Sequence, residues 1–243
     1  MLMPKEQFKR KMRETLERHL TLSNPLFKHL LDVDNPNLEL LKFTTLQGYQ
    51  LTKHFLTYIE YIYFYCPIES HKRILLHNMY EEETGALSRT KNHVELMHDF
   101  IRALGISDAE RDAMVPLPAT QQLIDYRMHA CKNRELYHIG AAAVLVASEG
   151  QNLETVGEQA RHTILGKVYN LQEKDLLFFS VHQKEDVGHV KQGLALVTDL
   201  CVTEEMQQQA LTAIDRTCQY FYGMYQGIYE HLKLHELGLE PVL

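Results

Sequence analysis

Downstream of Thr203, the residues Met206, Ala210, Ile214, Cys218, Phe221, Tyr225, Ile228 and Leu232 recur every three or four positions. An α-helix, turning 100° per residue, gathers such positions on one side, whereas a strand would scatter them over both faces. The run therefore predicts one long helix, capped by Thr203, with a continuous apolar face for other helices to cover.

The rest of the chain repeats that grammar. Phe8, Met12, Leu16 and Leu20 recur every four residues, and Asn24-Pro25 supplies an N-cap and an N1 proline for "PLFKHLL". From Asn37 to about Tyr65 the text is apolar on more than one side and predicts a central helix, which Pro67 ends. "ESHKRILLHNMYEEETG" follows, stopped by Gly85, and then "NHVELMHDFIRALGI", stopped by Gly105. Ser107 and Glu110 form a capping box, and "ATQQLIDYRMHAC" is a further helix. "ELYHIGAAAVLVASEGQNLETVG" is so rich in small residues that it invites close packing. "EQARHTILGKVYN" and a helix from about Lys174 to Leu200 complete the series. There is no alternating pattern, no phosphate-binding glycine loop, no solenoid repeat and no linker long enough to separate domains. The expectation is an all-α bundle of about eight to ten helices, a single domain over residues 1–243.

Composition narrows the function. Hydrophobic residues at 45% and charged residues at 23% are ordinary for a globular chain, and a net charge of −7 argues against a nucleic-acid partner. The longest strongly apolar run, "AAAVLVA", is too short to span a bilayer, and the N-terminus lacks the apolar core of a signal peptide. Four cysteines lie far apart with no CxxC spacing, which suits reduced thiols. These features predict a cytoplasmic protein without membrane contact.

Chemistry concentrates in "FFSVHQKEDVGHVKQG". At 100° per residue, His182, Asp186 and His189 fall within a narrow arc of one helix face. Glu149 stands among "VLVAS", where an unpaired carboxylate would carry a heavy desolvation cost, so a cation or a metal should meet it. "MYEEETG" offers Glu81, Glu82 and Glu83, and "KNHVEL" offers His93. Three imidazoles and three carboxylates from four helices have the chemistry of a carboxylate-bridged di-iron or di-manganese centre inside a bundle. The bland alternative is a hydrogen-bonded polar network. Glu60, in "TYIEYIYFY", is a candidate extra ligand set against a surface ion pair. Tyr58, Tyr61 and Phe55 are read as core. Arg127 and Arg134 are candidates to hold a substrate carboxylate, set against the commoner reading of such arginines as solvated. Cys131 and Cys218 lack the context that would activate a thiolate.

In order and register, "NMYEEETG", "NHVELMHDFIRALGIS", "AAAVLVASEGQ" and "HQKEDVGH" resemble the successive ligand helices of the haem-oxygenase-like di-metal oxidases, within the wider TenA/PqqC superfamily. The likeness runs over roughly residues 15–230. It implies a haem-oxygenase-like helical fold and metal ligands at Glu82, His93, Glu149, His182, Asp186 and His189. Glu82 is preferred to Glu81 and Glu83 because it follows Asn78 by four residues, although the extra "LSR" before His93 leaves its neighbours in play. It also implies two iron ions cycling between Fe(II) and Fe(III), with manganese as the alternative metal, and dioxygen as co-substrate. The expected partners are a small-molecule substrate, foremost an amino acid or amine, a reductant or redox partner, and a second copy in a homodimer. The family's outcomes include N-oxygenation, C–C cleavage, desaturation and decarboxylation. The local wording also resembles a chlamydial branch, a likeness that would imply para-aminobenzoate formation from one of its own tyrosines. Here the matching position is Phe27, and no lysine follows Glu149 in "GQNLETVGEQ", so an external substrate is expected. The rival readings are a cofactor-free oxidase or hydrolase of the same superfamily, which needs no metal, and a partner-binding protein that keeps only the fold.

Overall fold

The computed structural model describes residues 1–18, 24–151 and 160–236. Leu20 and the segment "NLETVGEQ" lie outside the described residues. Within them the chain forms twelve α-helices and no strand. They are α1 (Lys5–Glu17), α2 (Leu26–Leu30), α3 (Leu38–Thr52), α4 (Phe55–Tyr65), α5 (Glu69–Thr84), α6 (His93–Ala103), α7 (Asp108–Ala113), α8 (Pro118–Lys132), α9 (Tyr137–Ala141), α10 (Arg161–Tyr169), α11 (Leu177–Leu200) and α12 (Glu204–Glu236). The all-α expectation holds, with more and shorter helices than the eight to ten expected. No helix among the described residues is long and apolar enough to cross a membrane.

Capping chemistry sets several ends where the sequence puts them. Asn37 Oδ1 accepts from the Leu40 amide at 2.9 Å and Asn92 Oδ1 from the Glu95 amide at 2.8 Å, each satisfying a donor that the first helical turn leaves open. Ser107 and Glu110 form the reciprocal capping box that opens α7. Gly85 ends α5 with φ +62°; a Cβ there would lie 2.5 Å from the Lys91 carbonyl carbon, so only glycine allows the chain to turn back towards α6.

Two elements depart from the sequence reading. The expected helix over 37–65 breaks at Lys53-His54, where the His54 amide bonds back three residues to the Leu51 carbonyl. The break has a packing reason. Leu40, Leu41, Leu46 and Leu51 of α3 enter one apolar cluster, with α2, α6 and the later half of α12, while Tyr58, Ile59 and Ile62 of α4 enter another, with α1, α9 and the earlier half of α12. A straight helix would keep one heading; the turn redirects it from one cluster to the other.

The second departure is the small-residue segment. Beyond α9 the helix continues as a π-helical stretch, Ala142–Ser148, every residue of which is buried. Its widened turn ends with the Glu149 amide bonded to the Val144 carbonyl five residues back, and Ser148 Oγ donates to the Ala143 carbonyl at 2.9 Å. Close packing is realised against α11. A Cβ at Gly193 would lie 2.8 Å from the carbonyl carbon of Leu145 and nearer still to its oxygen, so α11 lies directly on the π-helical backbone. Gly193 is one turn beyond His189, and Leu145 is one turn before Glu149. This contact sets how the two elements' polar side chains meet.

Candidate metal centre

The six residues expected as ligands come together in two groups of three. Glu82 from α5, His93 at the first position of α6 and His182 of α11 place one donor atom each within 4.8 Å of one another. Glu149, directly after the π-helical stretch, does the same with Asp186 and His189 of α11. The polar stripe of α11 is thus divided, its first histidine going to one group and its last two members to the other.

In the first group His93 Nδ1 lies 2.9 Å from Glu82 Oε2, and the His93 and His182 rings meet edge to face with centroids 4.5 Å apart. His182 Nδ1 is 2.6 Å from the Phe178 carbonyl oxygen. A carbonyl only accepts, so Nδ1 carries the proton and Nε2 keeps its lone pair for a ligand. In the second group His189 Nδ1 stands 3.6 Å from Glu149 Oε1 and 4.0 Å from Asp186 Oδ1.

Without an ion these groups compete for protons. Burial raises the Glu149 carboxyl to about 8, with the Glu82 charge adding to the effect; a hydrogen bond shared with Asp186, the His93 charge and a hydrogen bond with Asn78 offset it only in part. Burial also opposes a charged His93, but its bond to Glu82 and the nearby Glu185 and Glu81 overcome this and lift it to about 9. His182, buried with the charge of His93 beside it, is pushed down to about 4 and stays neutral. Among the described residues, Glu82 Oε1, Glu149 Oε1 and His189 Nδ1 are buried without a hydrogen-bond partner. Unsatisfied oxygen and nitrogen donors of this kind are costly in a bare core, and divalent cations satisfy them. Mixed carboxylate and imidazole donors suit iron or manganese, so the residues present fit the expected ions.

The neighbouring glutamates divide clearly. Glu81 accepts from the Leu87 amide at 2.7 Å, the Ser88 amide at 3.2 Å and the Ser88 hydroxyl. The extra "LSR" thus occupies the Glu81 carboxylate with its own loop, while Glu82 turns to His93. Glu83 and Glu60 are exposed, and Glu60 joins neither group. Sequence reasoning missed Glu185, whose Oε2 lies 3.7 Å from His93 Nε2; with Glu81 Oε1, 3.8 Å from the same nitrogen, it completes a third set of donor atoms within 4.8 Å of one another. The signal was present: at three residues after His182, Glu185 falls 60° to one side of it, still on the polar stripe.

Beside the first group lies a cavity of about 200 Å³, to which Glu82, His93, His182 and Glu149 present side chains and whose wall is otherwise largely aromatic and aliphatic. Phe27, read as the position lacking a reactive hydroxyl, is part of that wall. So is Phe55, expected in the core, whereas Tyr58 is fully buried in the core as expected. Arg127 corrects another expectation. It is 1% exposed, lines the cavity and is not solvated; Arg134 is exposed as expected. All four cysteines are free and buried, and burial pushes the Cys131 and Cys218 thiols up to about 12, which leaves no thiolate near neutral pH.

Known proteins are similar to this chain in sequence or in fold. A family model described as an iron-containing redox enzyme matches residues 44–222. The chain is 30% identical over 185 residues to the 4-aminobenzoate synthase of Nitrosomonas europaea, an alignment covering 72% of each protein. It is 28% identical over 178 residues to the 4-aminobenzoate synthase of Chlamydia muridarum, covering 73% of this chain and 72% of that one. A solved domain of unknown function with a haem-oxygenase-like fold, from Shewanella denitrificans, superposes with a TM-score of 0.73 over 98% of this chain and 97% of its own; at 16% identity that likeness concerns the fold.

Proposed function

Because the chain belongs to the family of iron-containing redox enzymes with a haem-oxygenase-like fold, we propose that it is a non-haem di-iron oxidase that uses dioxygen to oxidise a small molecule held in the cavity. The observation that carries this reading is the pair of donor groups, Glu82-His93-His182 and Glu149-Asp186-His189, each with two buried members and a half-buried histidine, beside one largely apolar cavity. Each group would hold one iron. When bound, the two ferrous ions supply the electrons that activate dioxygen.

The chain's own residues have defined tasks in this scheme. The Phe178 carbonyl fixes the His182 ring so that Nε2 faces the ligand position. The π-helical turn delivers Glu149, and the Gly193–Leu145 contact holds Asp186 and His189 against it. The Glu149 carboxyl and the His93 imidazole hold protons in the metal-free protein that they give up when they become ligands. The largely apolar walls would shield the reacting molecule from water. The substrate enters from outside, with an amino acid or amine as the leading class, since Phe27 has no hydroxyl or ring oxygen to surrender. A 4-aminobenzoate synthase activity, as the relatives are named, would then need a free aromatic precursor.

The test is anaerobic titration with Fe(II), followed by exposure to dioxygen. Two irons per chain and oxygen uptake are expected, with His182→Ala retaining about one. Absence of iron binding, or unchanged stoichiometry in His182→Ala, would refute the di-iron reading and favour the cofactor-free one.

A further inference from the structure

Arg127 is the largest fully buried side chain of the described residues and carries a formal charge. It sits on the apolar stripe of α8, between Leu123 and Cys131, and lines the same cavity as Glu82 and Glu149. Its Nη1 donates to Ser148 Oγ at 3.2 Å and its Nε to the Leu123 carbonyl at 3.4 Å, while Nη2 has no hydrogen-bond partner among the described residues. Aromatic rings flank the guanidinium: the Tyr58 and Phe221 centroids lie 4.8 and 5.5 Å from its Cζ. No carboxylate of the described residues forms an ion pair with it. Burial lowers its pKa; what opposes this is Tyr58, whose hydroxyl also supports the guanidinium, and Cys131, both neutral near neutral pH.

A guanidinium taken out of water without an anion is expensive, and surrounding it with rings recovers only a fraction of what hydration gave. Arginines are almost never fully buried unless paired. Here the unused donor, the missing anion and the empty space beside the side chain occur together. A cavity of about 200 Å³ has room for roughly a dozen or more non-hydrogen atoms, taking 10–15 Å³ for each water-sized group. Its walls accept an apolar body. Bidentate geometry on one planar fork favours a carboxylate over other anions of that size.

We infer that Arg127 is the anchor of the cavity's ligand, pairing with the carboxylate of a small organic acid whose apolar or aromatic body lies along Phe27 and Phe55 towards the Glu82-His93-His182 group. Ser148 serves both ends. It orients the guanidinium and immediately precedes Glu149, so an acid held at Arg127 is placed relative to the second donor group through one short piece of backbone. This deepens the oxidase reading by naming its substrate class and rests on that reading for the chemistry that follows binding. It also narrows the expected amine to one that carries a carboxylate.

The test compares isosteric acids and amides on the full-length protein, by calorimetry and by shift of the melting temperature, in metal-free and iron-loaded forms. The probes are benzoate and 4-aminobenzoate against benzamide and 4-aminobenzamide, and hexanoate against hexanamide. In the metal-free protein at least one acid should bind about ten- to a hundredfold more tightly than its amide, the range of a charged hydrogen-bonded pair. Arg127→Gln should abolish that preference and Arg127→Lys should keep part of it, each after its fold is checked by circular dichroism. The wild-type comparison stands even if a variant does not fold. Equal affinity for acid and amide, failure of every acid at millimolar concentration, or an acid preference that survives Arg127→Gln would each overturn the inference. A preference confined to the iron-loaded protein would assign the carboxylate to the metal and overturn it as well. Iron stoichiometry in the wild type is measured separately, so failure of the di-iron reading remains distinguishable from failure of the anchor.

Discussion

The Gly193→Ala substitution tests how the second donor group is assembled. The added Cβ would stand 2.8 Å from the Leu145 carbonyl carbon and 2.9 Å from the Leu145 Cβ. Carbon atoms in contact prefer about 3.5–4.0 Å, so α11 must withdraw from the π-helical stretch by roughly 1 Å. Gly193 lies one turn from His189, and Leu145 one turn from Glu149, so most of that displacement reaches the donors. Metal–ligand distances tolerate only about ±0.2 Å, and a 1 Å separation of Glu149 from Asp186 and His189 should empty that group while sparing Glu82, His93 and His182. Overpacking of this kind costs about 1–3 kcal/mol. At roughly 2–4 °C per kcal/mol for a chain of this size, the metal-free melting temperature should fall by about 2–12 °C.

The control is on the same helix. A Cβ at Gly188, next to His189, meets nothing within 4 Å. Gly188→Ala should therefore stabilise the protein by about 0.5–1 kcal/mol through helix propensity and leave iron content unchanged. The assay is melting by circular dichroism together with iron analysis after anaerobic loading. Gly193→Ala is expected to hold about one iron where the wild type holds two. If it keeps both irons and melts with the wild type, the Gly193–Leu145 contact does not set the site, and the argument from close packing fails.

Three further outcomes follow from the charges and the loop. Glu149 and His93 both have folded-state values raised above their ordinary ones, to about 8 and about 9, so the stability they contribute is complete at acid pH and is lost as pH rises through those values. The metal-free protein should accordingly melt lower at pH 9 than at pH 6, and apparent Fe(II) affinity between pH 6 and 7.5 should rise with pH by one to two decades per unit, about one for each proton displaced; a flat affinity profile would show that no proton leaves these groups. Chelation of iron should lower the melting temperature, since an ion present at about 1,000 times its Kd adds about 4 kcal/mol to a fold that otherwise buries unsatisfied carboxylate oxygens; equal melting with and without chelator would contradict it. Glu82→Gln should lose an iron while Ser88→Ala, which removes the hydroxyl but leaves the Leu87 and Ser88 amides on Glu81, should cost about 0.5–1.5 kcal/mol and keep both irons; a Glu82→Gln protein that keeps both irons would remove Glu82 from the ligand set.

Much of this was legible because helices write their spacing into the sequence. The arc shared by His182, Asp186 and His189 follows from 100° per residue and needs nothing tertiary, and the capping box of Ser107 and Glu110 is local chemistry. What sequence could not supply is where a helix changes its winding or direction. "AAAVLVA" reads equally well as α or π, because residues buried on every side leave no stripe from which to measure a period. The break at Lys53-His54 has no proline or glycine to announce it; it arises because α3 and α4 serve different apolar clusters. The division of α11's stripe between two donor groups likewise depends on which neighbours reach it.

Arg127 shows a different limit. Its position was readable, since Leu123, Arg127 and Cys131 follow one another at four-residue intervals on the buried face of α8. Charge type suggested solvent, and the apolar stripe suggested burial. When these two signals conflict, the stripe deserves the greater weight, because one charged side chain cannot rotate a fifteen-residue helix that is fixed by Thr120, Leu123, Ile124, Ala130 and Cys131. The same logic applied to Glu149 pointed to a cation. Applied to Arg127 it points to an anion, and the two residues that break the apolar pattern most sharply both stand on the wall of one cavity, where the acid inferred for Arg127 would lie within reach of the donor group of Glu149.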